Sequence, residues 1–171
     1  MAAACTRSDN RIRFAAQVPI RDIDESITEL RRAHNLGAVS VMLLGMAWDK
    51  KLGEKSLHPF FEEAAGLDIP ICVHLGWGCP ALTEIFDASS NFYSAILPVL
   101  MGFHSLMLSG VMEEFPHLRL AFLESGSLWV PYVLHELQRS GKVKRNPSEY
   151  FRQGRVFVSC EADENINYLT S

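Results

Sequence analysis

The 171-residue chain has 48% hydrophobic and 21% charged residues, a globular balance that excludes disorder and low complexity, and its length suits one domain spanning residues 1–171. Sixteen Lys and Arg against twenty Asp and Glu give a net charge of −4. No long basic run is present to track a phosphate backbone, so nucleic acid is excluded as an expected partner.

Five short β-rich runs alternate with longer helical patterns. The first strand is expected at Arg13 to Pro19. Asp22 then caps a helix, with Glu25 three residues on and Ile23, Ile27 and Leu30 at helical spacing, and Gly37 closes it. Strand two, Ala38 to Leu44, is apolar almost throughout, as a parallel strand covered on both faces would be. A polar loop follows through Asp49, Lys50, Lys51, Gly53 and Glu54, and His58 caps a helix running from Pro59 to Leu67. Strand three is Ile69 to His74, and the irregular stretch Leu75 to Asn91 is long enough to be functional. A long helix from Phe92 to Glu114, disturbed near Pro98 and Gly102, leads to strand four, Leu118 to Glu124. Helix Leu128 to Arg139, a helical turn near Pro147 to Phe151 and strand five, Arg155 to Cys160, complete the alternation, and Glu161 to Ser171 reads as the start of another helix.

The apolar stretch Ala95 to Met112 contains Pro98, His104, Ser105 and Ser109 and reads as a buried helix, so no membrane partner is expected. The opening residues show no leader pattern, and Cys5, Cys72, Cys79 and Cys160 form no CxxC pair. Reduced thiols in the cytoplasm follow as the expectation. The cations between Arg139 and Arg145 read as a solvated helix end.

Parallel strands joined by right-handed helical crossovers build either an open doubly wound sheet or an arc of a (β/α) barrel, and both bind ligands at the carboxyl ends of their strands. No GxGxxG or GxxxxGK[ST] follows any strand. His74 ends strand three, Glu124 ends strand four, and Glu161 with Asp163 ends strand five. An imidazole and carboxylates at one rim suit a divalent ion, although each residue type also has a structural use, in the core or at a helix N-terminus. His104 lies mid-helix among apolar residues and is a further candidate over the rim. No HxH, HExxH or GxSxG is present.

The segments SLHPFFEEAAGLDIPICVHLG and GVMEEFPHLRLAFLESGSLWVPYVLHEL, with FAAQVPIRD before them and RVFVSCEADEN after, resemble the amidohydrolase-related family of aminocarboxymuconate-semialdehyde and resorcylate-type decarboxylases. The resemblance covers nearly the whole chain and implies an α/β fold, a partial (β/α) TIM-type barrel of about five parallel strands with outer helices. It implies a divalent metal, Zn or Mn, at the carboxyl-end face. His74 matches the family's metal-ligand histidine. Glu124 stands where the decarboxylases usually carry a histidine, in the LExG form of one branch, and His104 and Trp129 match recurrent rim or packing positions. The resemblance spans the family's third to seventh strands, so its first-strand HxH or ExH pair and its eighth-strand Asp have no counterpart here.

The expected function is therefore metal-dependent hydrolysis or non-oxidative decarboxylation of a small, aromatic carboxylate, through metal-bound water or a metal-coordinated substrate. His74 is the expected ligand, with Glu124 and His104 as catalytic candidates. The alternative is an inactive truncated scaffold or binding module, and little activity is expected from this chain alone. Open sheet edges at Phe14 to Val18 and Val156 to Cys160 make homo-oligomerisation an expected property, and packing on an uncovered inner face would be reduced for any of Ile71, Val73 and Phe122 that lie on it.

Overall fold

The computed structural model describes residues 1–9, 11–76, 84 and 92–165. Five strands, β1 (Ala15–Gln17), β2 (Ser40–Leu44), β5 (Ile71–His74), β6 (Leu120–Leu123) and β7 (Val156–Val158), form one parallel sheet. Their order in the sheet, β1-β2-β5-β6-β7, is their order in the chain. A doubly wound sheet reverses direction at a switch point and carries helices on both faces. An order that never reverses sends every right-handed crossover to the same side, which makes this sheet an arc of a (β/α) barrel.

Alternation along the strands shows which side that is. Ala16, Val41, Leu43, Ile71, Val73, Leu120, Phe122 and Val156 are buried in the core. The alternate residues, among them Met42, Leu44, Cys72, His74, Leu123 and Phe157, are half-buried or exposed. The sheet is thus covered on one face and open on the other. Ile71, Val73 and Phe122 belong to the covered face, each no more than 1% exposed, so the reduced packing anticipated for an inner face falls on their strand neighbours instead.

Helix α1 (Ala2–Arg7), which the sequence reading did not include, forms from an alanine-rich run of high helix propensity. Helix α2 (Ile23–Asn35) starts as expected, with the Asp22 carboxylate accepting the Glu25 N–H at 3.1 Å. Gly37, at φ +89°, ends it. The polar loop after β2 is instead a hairpin of β3 (Met46–Ala47) and β4 (Lys50–Lys51). Helix α3 (His58–Gly66) begins on His58, so His58 is its first residue and does not cap it. The His58 ring is buried against Phe115, with Nδ1 3.0 Å from Glu114 Oε2.

A π-helical turn, Phe92–Ile96, runs into α4 (Leu97–Ser109). The change from π-helical to α-helical turns falls beside Pro98, where the sequence places a disturbance. The second position, Gly102, does not break the helix. Gly102 lies where the backbone of Gly45 crosses. A side chain on Gly45 would place a carbon 2.1 Å from the Pro98 carbonyl oxygen, so bare backbone is what lets the hairpin lie on α4. The break comes at Gly110, φ +81°, before α5 (Val111–Glu114). Helices α6 (Trp129–Arg139) and α7 (Ser148–Arg152) complete the layer. Phe92–Ser109 is apolar and long enough to cross a membrane by length and composition, yet Val99, Phe103, Leu106 and Met107 are core residues. Residues 161–165 form turns rather than a helix start; the remainder of that segment, and most of the irregular stretch after Leu75 with Cys79, lie outside the described residues.

Candidate functional site

Strand register places Leu44, His74 and Leu123 side by side at the carboxyl end of the sheet, on its open face. His74 Nδ1 lies 2.7 Å from the Leu75 carbonyl oxygen. A carbonyl only accepts, so Nδ1 holds a proton and donates it, which leaves Nε2 as the nitrogen facing the rim. That nitrogen is 3.2 Å from Glu124 Oε2. The contact is attractive when a proton or a cation lies between the two atoms.

Glu124 reaches this position through an unusual backbone. It follows Leu123, an open-face residue, and in continued extended conformation would turn toward the helices. Its φ of +57° is left-handed, a conformation costing a non-glycine residue about 1–3 kcal/mol. Its N–H donates to Ser159 Oγ at 2.8 Å, and the Ser159 N–H donates to the Phe122 carbonyl at 2.9 Å, so the end of β7 holds the turn. The Glu124 side chain is 63% exposed and accessible from solvent.

The other sequence candidates lie elsewhere. His104 lines a groove of about 670 Å³ between α4, α6 and the β4 turn, to which neither His74 nor Glu124 contributes. Burial, followed by the Lys51 charge, lowers its imidazole below the ordinary histidine value, so the ring is neutral near neutral pH. The structure does not bring it to the His74–Glu124 pair. Glu161 and Asp163 are exposed, and the Glu161 backbone N–H donates to Glu164. Among the described residues no group of three or more His, Cys, Asp and Glu side chains converges on one point.

The family described as Amidohydrolase matches residues 1–164. This chain belongs to the amidohydrolase family. It is 28% identical over 139 residues to a 2-keto-4-carboxy-3-hexenedioate hydratase of Sphingobium sp. (strain NBRC 103272 / SYK-6), covering 77% of this chain and 39% of the relative. It is 24% identical over 184 aligned residues to a 2-amino-3-carboxymuconate-6-semialdehyde decarboxylase of Dictyostelium discoideum, covering 96% of this chain and 49% of the relative. The chain thus spans half or less of the length of these relatives. Among solved structures, a dihydroxybenzoic acid decarboxylase from Polaromonas sp. JS666, with bound manganese and the inhibitor 2-nitroresorcinol, superposes with a TM-score of 0.80 at 20% identity, over 99% of this chain and 56% of that one. The likeness is one of fold and establishes the barrel arc.

Within this amidohydrolase fold, the sequence reading missed the carboxylate that organises the rim. Helix α6 has no side-chain cap of its own at Leu128. Glu164 supplies one from after β7, accepting from the Ser127 N–H at 2.7 Å, the Ser127 hydroxyl at 2.6 Å, the Leu128 N–H at 3.1 Å and the Glu161 N–H at 3.0 Å. Nothing in the run Glu161–Asn165 singles out Glu164, because its partners Ser127 and Leu128 are more than thirty residues away. Trp129 is a packing residue, its Nε1 donating to the Gly126 carbonyl at 2.7 Å and its ring edge-on to Phe103 and Phe122.

Burial alone would raise the Glu164 carboxyl, but the four hydrogen bonds outweigh it and hold it at about 2, against an ordinary 4.5. The contribution of this group to stability is then complete above 4.5, its unfolded value, and is lost as pH falls toward 2. Glu164→Gln is expected to cost about 1 kcal/mol at neutral pH, the usual cost of a lost helix cap, and to flatten stability against pH in that acid window. Urea unfolding at several pH values measures both; parallel curves for the two proteins would show that the cap carries no linkage.

Proposed function

We propose that this chain carries part of the active site of a divalent-metal-dependent enzyme acting on small aromatic carboxylates, by non-oxidative decarboxylation or hydrolysis. The observation that carries this reading is the His74–Glu124 pair, with Nδ1 tied to a backbone carbonyl and Nε2 3.2 Å from a carboxylate oxygen. A histidine whose other nitrogen donates to a carbonyl has the orientation and tautomer that metal ligation requires. A 3.2 Å separation also suits two neighbouring donors each about 2.0–2.2 Å from one ion. The residues present therefore fit a metal. His74 would hold it, and Glu124 either completes that side or handles the proton exchanged at the substrate carbon.

When bound, the cation would supply Lewis acidity toward a carboxylate or carbonyl oxygen. The rest falls to the chain: Leu75 fixes the imidazole, Ser159 fixes the strained Glu124 turn, and the open face of the sheet receives the substrate. The manganese in the structural relative and the decarboxylase relatives support this choice of cofactor and chemistry. His104 stays outside it, because it lines a different groove. A reducing, cytoplasmic setting belongs to the same reading and agrees with the unpaired thiols of Cys72 and Cys160.

The second reading, a scaffold without turnover, is favoured by the described residues supplying only two converging donors where a catalytic site uses about three. Both readings predict that the isolated chain binds Mn²⁺ weakly, and that His74→Ala weakens binding at least ~10-fold further. Calorimetric titration decides this, and equal Mn²⁺ binding by the wild type and His74→Ala would reject the site. Release of CO₂ from 2,6-dihydroxybenzoate separates the readings: turnover abolished by His74→Ala supports the enzyme, and no turnover supports the scaffold.

A further inference from the structure

Beside His74, at the carboxyl ends of β1 and β2, is a concavity of about 380 Å³ lined by Gln17, Ile20, Arg21, Met42, Leu44 and Trp48, among others. Leu44 is the register partner of His74, so this concavity begins one strand away, about 5 Å across the sheet. Its walls are apolar apart from Gln17 and Arg21. The Arg21 guanidinium carbon lies over the Trp48 ring, 5.1 Å from its centroid. Among the described residues Arg21 has no carboxylate partner, a state it shares with Arg7, Arg11, Arg13, Arg152 and Arg155, but of these six only Arg21 lines this concavity.

Trp48 is the second unusual feature. Register pairs Met46 with Lys51 and Ala47 with Lys50, which leaves Trp48 and Asp49 as a two-residue hairpin turn. Trp48 has φ +64°, whereas Asp49 is not in the left-handed region. That turn position favours glycine, and a bulky residue there is an outlier. The ring is 47% exposed, so burial does not explain its presence. What the ring does is hold Arg21 by a cation–π contact, and no hydrogen bond or ion pair among the described residues occupies the Arg21 N–H groups, which leaves them for a carboxylate.

We propose that Arg21 and Trp48 form an anion clamp that binds the carboxylate of a planar aromatic ligand, with the ring of the ligand lying along Met42 and Leu44 toward His74. The ligand's aromatic character rests on the function proposed above; the clamp itself needs only a carboxylate on an apolar body. The clamp acts without metal, so the two proposals fail separately.

The test is calorimetric titration of the chelator-treated 171-residue chain with benzoate and, in parallel, with benzyl alcohol. Benzoate is expected to bind saturably and benzyl alcohol about 10-fold more weakly or worse, the difference made by one charge-assisted hydrogen-bonding pair. Arg21→Gln should erase that preference, and Arg21→Lys should restore it in part because a single ammonium cannot match the planar fork. Trp48→Gly should lose benzoate affinity while its melting temperature stays level or rises, because glycine relieves the turn. A merely structural tryptophan would show the opposite, a fall in melting temperature, which overturns the clamp. Failure of the wild type to bind benzoate, or unchanged benzoate affinity in Arg21→Gln, overturns it as well. In the same chain, Mn²⁺ binding that depends on His74 without Arg21-dependent benzoate binding retains the metal site and rejects the clamp; the reverse result retains the clamp and rejects the metal site.

Discussion

Phe103→Ala is expected to destabilise the chain by about 3–5 kcal/mol, the cost of removing a fully buried aromatic and leaving a cavity. Phe103 on α4 is 0% exposed. Its ring is edge-on to Phe122 of β6 and to Trp129 of α6, both at 5.1 Å between centroids, and tilted against Phe151 of α7 at 6.2 Å. One side chain thus joins the sheet to three helices, and no single neighbour can move to fill its space without leaving another. Domains of this size lose about 2–4 °C in melting temperature per kcal/mol, so a fall on the order of 10 °C is expected. Against a total stability of about 5–15 kcal/mol, that loss is a large share of what holds the chain folded. Phe103→Leu keeps most of the volume and should lose much less. Circular dichroism melts of the three proteins check this; a loss below about 1 kcal/mol for alanine would mean that the aromatic cluster is not what joins these layers.

The second large effect is association. β1 and β7 lie at the two edges of the sheet, each with one side unpaired within it. The open face adds Leu44 and Phe157, 37% and 52% exposed, to the half-buried Met42, Cys72 and Leu123. Unpaired N–H and C=O groups next to exposed apolar side chains are a template for another strand. The purified 171-residue chain is therefore expected to self-associate or aggregate, with a melting temperature that changes with concentration. Light scattering and melts across a concentration series test it. A single monomeric species with a concentration-independent melt would show that the open face and edges are tolerated in water. Substituting Phe157 with a lysine should reduce association without touching the covered face, since Phe157 is on the exposed side of β7.

Several elements were legible along the chain because their causes are local. Apolar runs of strand length bounded by turns located all five strands of the sheet, although each is shorter in the structure than its apolar run. Asp22 announced its helix by a side chain that bonds three residues ahead, and Gly37 ended it with a backbone conformation glycine adopts freely. His74 and Glu124 were identifiable as strand-end residues for the same reason. What failed were features whose cause is a distant contact. Lys50 and Lys51 give no strand signal, and they pair with Met46 and Ala47 only because Gly45 and Gly53 let the hairpin lie on α4. Gly102 looked like a helix breaker, whereas it accommodates the Gly45 backbone.

The sequence by itself determined the parallel α/β alternation, the family resemblance and the residues that end each strand. Only the tertiary structure decided that the sheet runs in chain order as an arc, and that Ile71, Val73 and Phe122 face the helices. It also decided that His74 Nε2 lies beside the Glu124 carboxylate and that Glu164 caps α6, leaving His104 in a separate groove. The physical reason is range. A helix cap or a strand period is set within a few residues, but facing, register and the approach of two side chains fifty residues apart depend on packing between layers, which no local pattern encodes.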